Sequence, residues 1–181
     1  MRNTFDRFNG RHQDYQAARP SYAQEFLDWL GELYAPPERY TAADIGSGTG
    51  KLSAQLLAAG FRVCGVEPNP DMRGAAEALL GGDPRFSSSN GTDHDTGLPD
   101  RSVDMVAAAQ AFHWFDGPAF ARECRRILRP GGRAVLVWNV RGSAPMNQAL
   151  AQVFREHCPS FHGFTGGMGE DDPRIRDFFG G

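Results

Sequence analysis

The sequence TAADIGSGTG, residues 41–50, is the most informative part of this chain. The run 40–45 is short and mostly apolar and stops at glycines, a pattern typical of a buried strand that leads into a tight loop. Residues 51–59 then carry leucines at helical spacing. Glycines can take a positive φ and carry no side chain that would keep a ligand away, and this loop has Gly46, Gly48 and Gly50. The stretch therefore predicts a strand, a glycine loop and a helix start that form a cradle of nucleotide size.

Two common phosphate-binding fingerprints do not fit this loop. The dinucleotide-binding pattern G-x-G-x-x-G would place its third glycine where Lys51 stands. The P-loop has four residues between its first glycine and its Gly-Lys pair and continues with Ser or Thr, whereas here three residues intervene and Leu52 follows. Asp44, at the mouth of the loop, would also repel a pyrophosphate. The sequence therefore favours a ligand that carries positive charge.

A second acid, Glu67, ends the next apolar run, about twenty residues further along the chain. A carboxylate at this place suits a ribose because it can accept hydrogen bonds from both hydroxyls of the diol. Each feature also has a simpler interpretation, the glycines as a turn without a ligand and the acid as a solvated residue at a strand end. The combination of Asp44 with Glu67 favours a ligand site.

The rest of the chain alternates between predicted strands and helices. The strands are predicted at 40–45, 61–67, 85–89, 103–109 and 133–138, and the helices at 51–59, 71–80, 118–128 and 145–157. An earlier helix is predicted to begin at a capping box formed by Ser21 and Gln24, with an apolar stripe at Tyr22, Phe26, Trp29, Leu30 and Leu33. Alternation of this kind implies an α/β fold, in which helices cover both faces of a parallel sheet.

Four segments in this order resemble the motifs of class I S-adenosylmethionine-dependent methyltransferases. Residues 44–50 (DIGSGTG) resemble the first motif, and residues 66–69 (VEPN) with Met72 resemble the second. Residues 109–115 (AQAFHWF) and 128–132 (LRPGG) resemble later landmarks of the small-molecule branch, the type 11 family with its trans-aconitate-methyltransferase-like relatives. The resemblance implies a Rossmann-like parallel sheet and S-adenosylmethionine as the cofactor.

The resemblance also implies which residues contact the cofactor. Asp44 would face its methionine end, and the backbone at 46–48 would approach its amino and ribose groups. The loop after the third strand would receive the adenine, but it departs from the family's Gly-Asp/Ser-Ala-Glu at positions 93 and 94, so Asp93 and Thr92 are both candidates, with Asp93 favoured. The implied cofactor-binding residues are Arg19, Asp44, Gly46, Ser47, Gly48, Gly50, Glu67, Pro68, Asn69, Met72, Thr92, Asp93, His94 and Gln110.

His113 is the candidate catalytic residue. It is predicted to lie just past the fourth strand, where an imidazole that titrates near neutrality can position a substrate or remove a proton. The alternative is a packed or capping histidine. Tyr15, Arg19 and Tyr22 match the family's N-terminal segment, which closes over the active site. Arg19 would there pair with a carboxylate of cofactor or substrate, or else is a surface arginine.

The implied reaction is direct in-line methyl transfer to a small-molecule acceptor. A net charge of −3 and a pI near 5.9 give no electrostatic footprint for nucleic acid. The amide- and base-methylation motif Asn-Pro-Pro-Tyr does not follow the fourth strand, where residues 110–113 (QAFH) stand instead. The competing hypotheses are a non-catalytic cofactor-binding or assembly module and an NAD-type oxidoreductase, which the failed third glycine disfavours.

Length and composition predict one globular domain over residues 1–181. The resemblance implies that it consists of an N-terminal lid and helix (1–35), a cofactor-binding core (36–140) and a C-terminal helix and tail (141–181). No apolar run is long enough to span a bilayer. Three cysteines without a C-x-x-C pattern favour a reduced, cytoplasmic protein. We expect no metal, since His157, Cys158 and His162 have no evident fourth ligand. We also expect a monomer or weak homodimer.

The family's sheet has seven strands, of which the last two form an antiparallel hairpin beside the fifth. After Asn139 about forty residues follow, and they are predicted to form one helix and a glycine-rich tail. Residues 178–181 (FFGG) are interpreted as the threshold of a sixth strand. We therefore expect the hairpin to be missing through truncation and the fifth strand to be an apolar sheet edge.

Overall fold

The computed structural model describes residues 21–139, 145–158 and 171–180. Five strands alternate with helices along the chain, and two short 3-10 turns lie at Pro37–Arg39 and Phe112–Trp114. In chain order the elements are α1 (Gln24–Leu33), β1 (Thr41–Ile45), α2 (Lys51–Ala58), β2 (Arg62–Val66), α3 (Pro70–Leu80), β3 (Phe86–Ser89), β4 (Val103–Ala109), α4 (Gly117–Ile127), β5 (Leu128–Val137), α5 (Pro145–His157) and α6 (Pro173–Phe179).

The strands form one parallel sheet in the order β3-β2-β1-β4-β5. The first strand pairs with β2 on one side and β4 on the other, so the strand order reverses at β1. In such sheets ligands bind beyond the carboxyl ends of the strands, at the point of reversal. Asp44, whose register partners are Gly65 and Ala107, lies near that edge. The predicted Rossmann-like fold is confirmed.

Successive residues of a strand point to opposite faces of the sheet, and both faces are covered by helices. Ala43 and Ile45 of β1 belong to a core shared with α4 and α6, through side chains such as Phe120 and Phe178. Ala42 belongs to the core on the other face, where α1 and α2 contribute Leu30, Leu52, Leu56 and Leu57. The sheet is thus held between two apolar layers.

The fifth strand begins earlier than predicted. It runs from Leu128, not from residue 133, because the LRPGG segment stays against β4. Val103 pairs with Leu128 and Met105 with Arg133, so the residues between them form an irregularity in the pairing. Gly131, with a φ of 83°, provides the positive φ that this irregularity requires. The glycines interrupt the strand but do not precede it.

The predicted capping box at the start of the first helix is wrong. The helix begins at Gln24 with Ala23 as N-cap and no side-chain cap. The Gln24 side chain instead donates to Asp28 Oδ1, at 2.9 Å. Trp29, predicted to lie in the buried stripe, is 48% exposed, while Leu27 and Leu30 face the core. Leu27 and Leu30 are three residues apart and therefore share the buried face.

The predicted threshold of a sixth strand is also wrong. Residues 173–179 form α6, which begins at Asp172, whose Oδ1 accepts from the amide of Arg174 at 2.9 Å. Asp followed by Pro is a signal for a helix start. Phe178 is buried and stacks on Phe120, with ring centroids 5.2 Å apart. Of the described residues, none after Val137 lies in a strand.

The expectations for Tyr15 and for the N-terminal lid lie outside the described residues. The described part of the chain contains no helix whose length and apolar character would let it cross a membrane.

Candidate functional site

The glycine loop after β1 is fastened to the neighbouring strand. The amides of Gly46 and Ser47 both donate to the carbonyl of Val66, at 2.8 and 3.1 Å. Gly46, Gly48 and Gly50 all have a positive φ, as the sequence predicted. This conformation is accessible to glycine at no steric cost, so the chain can turn under the end of β1 and begin α2 at once.

The three glycines serve different purposes. A Cβ on Gly46 would lie 2.8 Å from the Cβ of Ala111, and one on Gly50 would lie 2.9 Å from Leu80 Cδ1. Both positions therefore need glycine for packing, and Gly50 faces α3. A Cβ on Gly48 would meet nothing within 4 Å. Only Gly48 leaves open space for a ligand.

A cleft with an empty volume of about 400 Å³ lies over this loop. The wall contains four of the predicted cofactor residues, Asp44, Gly46, Ser47 and Gly48. It also contains residues that were not assigned to the cofactor from the sequence: Tyr22, Thr49, Lys51, Leu52 and Ala109. Lys51 and Leu52 come from the first turn of α2, a position next to the glycine loop that could have been anticipated.

Asp44 is the buried acid of this cleft, with 1% of its surface exposed. Its Oδ2 accepts a hydrogen bond from Ser53 Oγ at 2.7 Å, while its Oδ1 is buried and has no hydrogen-bond partner among the residues that the structure describes. Burial raises the pKa of Asp44 to about 6, against the lowering effect of the Ser53 hydrogen bonds. A buried acceptor without a donor is costly, and a cationic donor in the cleft would satisfy it.

Glu67 is buried at the end of β2 and accepts backbone hydrogen bonds on both oxygens. Its Oε2 accepts from the amide of Gly48 at 2.9 Å, and its Oε1 from the amide of Asn69 at 2.8 Å. Burial raises the pKa of Glu67, although these two amides lower it in part. Each carboxylate oxygen can accept more than one hydrogen bond. Glu67 therefore holds the glycine loop and retains capacity for a ribose hydroxyl.

The side chain of Asn69 caps α3. Its Oδ1 accepts from the amides of Asp71 and Met72, both at 3.0 Å, and Met72 is buried. The sequence signal for this cap was Asn followed by Pro, which is typical of a helix start. Asn69, one of the implied cofactor-binding residues, therefore has a structural role as a helix cap.

Arg73 is a residue that the sequence reasoning missed. Its Nη1 donates to the carbonyl oxygens of Glu67 and Pro68, at 2.8 and 3.3 Å, and to Asn90 Oδ1 at 3.1 Å. Arg73 thus joins the end of β2 to the loop after β3. Nothing in the local sequence distinguishes it from a surface arginine on a helix.

The loop expected to receive the adenine is tied to α4. Asp93 Oδ2 accepts from the amide of Asp116 at 3.1 Å, and its Oδ1 lies 3.1 Å from Nδ1 of His94. Thr92 Oγ1 accepts from the amide of Asp95 at 3.1 Å. Both candidates for the adenine amine therefore also stabilise the loop itself.

Gln110 and His113 follow β4 and are not part of the cleft wall. Gln110 has a φ of 55°, unusual for a residue other than glycine, and its Nε2 donates to the carbonyl of Asn139 at 3.2 Å. His113 lies in a 3-10 turn with its ring 4.9 Å from that of Trp114. Arg19, the remaining predicted contact, lies outside the described residues. Among the described residues, no cluster of three or more His, Cys, Asp or Glu side chains is placed to hold a metal ion.

Comparison with known proteins shows the family to which this chain belongs. A family profile described as a methyltransferase domain matches residues 43–136, more than half of the chain. An uncharacterized methyltransferase of Mycobacterium tuberculosis is 42% identical over 127 residues, which cover 70% of this chain and 49% of the relative. A solved structure of a candidate type II methyltransferase from Anaeromyxobacter dehalogenans is 37% identical, with a TM-score of 0.61, over 80% of this chain and 57% of that one.

A second solved structure, a candidate methyltransferase from an antibiotic biosynthesis pathway of Anabaena variabilis, is 25% identical with a TM-score of 0.65 and covers 86% of this chain and 59% of its own. The chain spans about half the length of the curated relatives it matches. The matched region contains the glycine loop, Asp44 and Glu67. The chain belongs to the methyltransferase domain family and has the Rossmann-like fold of class I methyltransferases.

Proposed function

We propose that this chain binds S-adenosylmethionine in the cleft over the glycine loop and transfers its methyl group to a small-molecule acceptor. The observation that carries the proposal is the Asp44 carboxylate, which is buried at the cleft and has one oxygen with no hydrogen-bond donor in the described part of the chain. A ligand with a cationic amino group would supply that donor as a charge-assisted hydrogen bond.

The other contacts follow from the same placement. The backbone of residues 46–48 would approach the amino and ribose groups, since a Cβ on Gly48 meets only open space. Glu67 would accept from the ribose hydroxyls on lone pairs that the amides of Gly48 and Asn69 leave available. The loop that contains Thr92, Asp93 and His94 would border the adenine, together with Met72.

Methyl transfer requires few catalytic groups from the protein. The sulfonium of the bound cofactor supplies a methyl group that is already electrophilic. The chain contributes orientation and exclusion of water, which favour in-line attack by the acceptor. His113, in the turn after β4, is our candidate for orienting the acceptor or removing its proton.

Two features support a small-molecule acceptor. The net charge is −3, which provides no basic surface for nucleic acid. The segment after β4 has the sequence QAFH, which resembles the small-molecule branch with its trans-aconitate-methyltransferase-like members.

We also propose that the protein is cytoplasmic and is a monomer or weak homodimer. Its three cysteines are free thiols, as is usual for proteins of a reducing compartment.

Calorimetry tests the cofactor. S-adenosylmethionine and its product S-adenosylhomocysteine should bind, and NAD should not. The Gly48→Val variant should lose binding because its side chain would occupy the ligand space. Gly131→Val is the matched control, since Gly131 also has a positive φ and open space around its Cβ position, but lies in β5. Binding of NAD alone would support the oxidoreductase instead.

The alternative of a non-catalytic cofactor-binding or assembly module requires a separate test. Transfer of a labelled methyl group to a panel of small carboxylic acids and phenols should give product with the parent chain. Binding of S-adenosylmethionine without transfer to any acceptor would favour the non-catalytic module.

A further inference from the structure

The side chain of Gln55 pairs with both backbone groups of a residue far away in the sequence. Its Oε1 accepts from the amide of Tyr22 and its Nε2 donates to the carbonyl of Tyr22, both at 3.0 Å. One amide side chain on α2 thus acts on Tyr22 as a neighbouring strand would. This pair of hydrogen bonds holds the Tyr22 backbone against α2.

Tyr22 is part of the cleft wall, together with Asp44 and Lys51. Its side chain is buried and belongs to the same core as Leu52 of α2. Glu67, by contrast, is not among the residues of this wall. The wall that Tyr22 completes therefore surrounds the part of the cleft next to Asp44.

The residue before Tyr22 is held from the opposite side. The carbonyl of Ser21 accepts from Asn139 Nδ2 at 3.3 Å, and the carbonyl of Asn139 accepts from Gln110 Nε2 at 3.2 Å. Gln110 has a positive φ of 55°. Strained residues of this kind persist where the surrounding structure determines them, often at ligand sites. Residues 21–22 are thus bound both to α2, which follows β1, and, through Asn139, to Gln110, which follows β4. The strand order reverses between these two connections.

We infer that Gln55 is a positioning residue for the cofactor: its amide holds Tyr22 as the wall over the amino-acid end of S-adenosylmethionine, next to Asp44. This inference rests on the proposed function. The two hydrogen bonds between Gln55 and Tyr22, which we call the clamp, fix this wall before the ligand binds. Less of the site then has to become ordered on binding. Loss of the clamp should weaken ligands that reach Asp44 and spare ligands that occupy only the nucleoside part of the site.

The test replaces Gln55 by methionine, which has a similar length and removes both hydrogen bonds. Gln24→Met is the matched control, because the Gln24 amide donates to Asp28 on the exposed surface of α1. Two ligands are titrated by calorimetry: S-adenosylhomocysteine, and 5′-methylthioadenosine, which lacks the amino-acid end. Gln55→Met should bind S-adenosylhomocysteine about tenfold more weakly and 5′-methylthioadenosine within about twofold of the parent.

Gln55→Glu provides a second variant that retains an acceptor for the Tyr22 amide and loses the donor to its carbonyl. It should fall between the parent and Gln55→Met in affinity for S-adenosylhomocysteine, even if Gln55→Met does not fold. An unchanged affinity in the variants, with binding by the parent, would overturn this inference alone. An equal loss for both ligands would do so too, since Gln55 would then act through the fold as a whole. If the parent does not bind S-adenosylhomocysteine, the proposed function fails and this inference fails with it.

Discussion

Asp44 and Glu123 are both buried carboxyl groups, but they differ in where their hydrogen-bond donors come from. Glu123, on α4, accepts from the amide and hydroxyl of Thr96 at 2.9 and 2.6 Å, and Arg126 donates to its two oxygens at 2.7 and 2.8 Å. Asp44 accepts from Ser53, and its other oxygen has no partner within residues 21–139, 145–158 and 171–180. The carboxylate that stabilises the fold has donors for both oxygens in the protein, while one oxygen of the carboxylate at the cleft has no donor among the described residues.

The pKa values of the two groups differ accordingly. Burial raises the pKa of Glu123, but the hydrogen bonds from Arg126 and Thr96 outweigh it and lower the pKa to about 2. Burial raises the pKa of Asp44 to about 6, because the hydrogen bonds from the side chain and the backbone of Ser53 compensate only in part. The pKa of each group therefore reflects both how strongly burial disfavours its charge and how many donors compensate for that burial.

The largest expected effect concerns stability. Glu123→Gln should lower the free energy of unfolding by about 2–4 kcal/mol, since Arg126 and the buried Thr96 lose their charged acceptor. Asp44→Asn should cost less than about 1 kcal/mol, because it removes a poorly compensated buried charge. Urea denaturation at pH 7 measures both. Glu77→Gln, an exposed carboxyl 3.8 Å from Arg73, is the control and should change stability by about 0.5 kcal/mol or less.

The pH dependence provides a check on this prediction. Because the pKa of Glu123 in the folded protein lies near 2, below its usual 4.5, its contribution is fully present above pH 4.5 and is lost as the pH falls toward 2. The difference in stability between parent and Glu123→Gln should shrink over that window. An equal destabilisation by Asp44→Asn and Glu123→Gln at pH 7 would contradict the comparison.

The next effect concerns ligand binding and reverses the order of the two residues. Asp44→Asn should weaken binding of S-adenosylhomocysteine by about 2 kcal/mol, or roughly thirtyfold, through loss of a charge-assisted hydrogen bond. Glu123→Gln should change the affinity by less than about twofold, since Glu123 holds Thr96 and not the three residues of the same loop that we place at the adenine, Thr92, Asp93 and His94. Calorimetry on folded samples measures both. A loss of similar size in the two variants would show that Asp44 acts through the fold.

Glu67 combines the features of the two residues. Its oxygens accept from the amides of Gly48 and Asn69, as in a structural carboxylate, and it lies beside the glycine loop that we place at the ligand. We expect Glu67→Ala to weaken S-adenosylhomocysteine by about 1–3 kcal/mol and to lower stability by about 1 kcal/mol as well. Calorimetry and urea denaturation of the same variant separate the two losses. Equal affinity of Glu67→Ala and the parent would rule out the assignment to the ribose.

The sequence was sufficient for features that depend on local pattern. The strand, glycine loop and helix start around Asp44 could be predicted because apolar run length, glycine and leucine spacing all lie within twenty residues. The role of Glu123 could not, since its partner Thr96 is 27 positions away. The clamp between Gln55 and Tyr22 is equally non-local.

That clamp also explains the incorrect start of α1. Ser21 and Gln24 have the right spacing for a capping box, but the backbone of Tyr22 is engaged by Gln55 and cannot join a first helical turn. Tertiary contact thus overrode a local signal. At α6 the reverse holds, since Asp172 and Pro173 carried a local helix signal that the interpretation of the FFGG segment overlooked.

The smallest expected effect is the pH dependence of ligand binding. An acid with a pKa of about 6 is ionised to about a quarter at pH 5.5 and almost fully at pH 7.5. If anionic Asp44 accepts from the amino group, affinity for S-adenosylhomocysteine should fall as the pH falls through 6. Binding of S-adenosylhomocysteine should be about fourfold weaker at pH 5.5 than at pH 7.5.

Asp44→Asn isolates this contribution, because Glu67 also faces the glycine loop and burial raises its pKa as well. The asparagine variant lacks the titrating group at position 44. Its affinity should therefore lack the roughly fourfold change between pH 5.5 and pH 7.5 that Asp44 gives the parent. Parallel profiles for parent and variant would assign the pH dependence to other groups. The unpartnered oxygen of Asp44 would then be a feature of the fold alone, and its contrast with Glu123 would carry no information about the ligand.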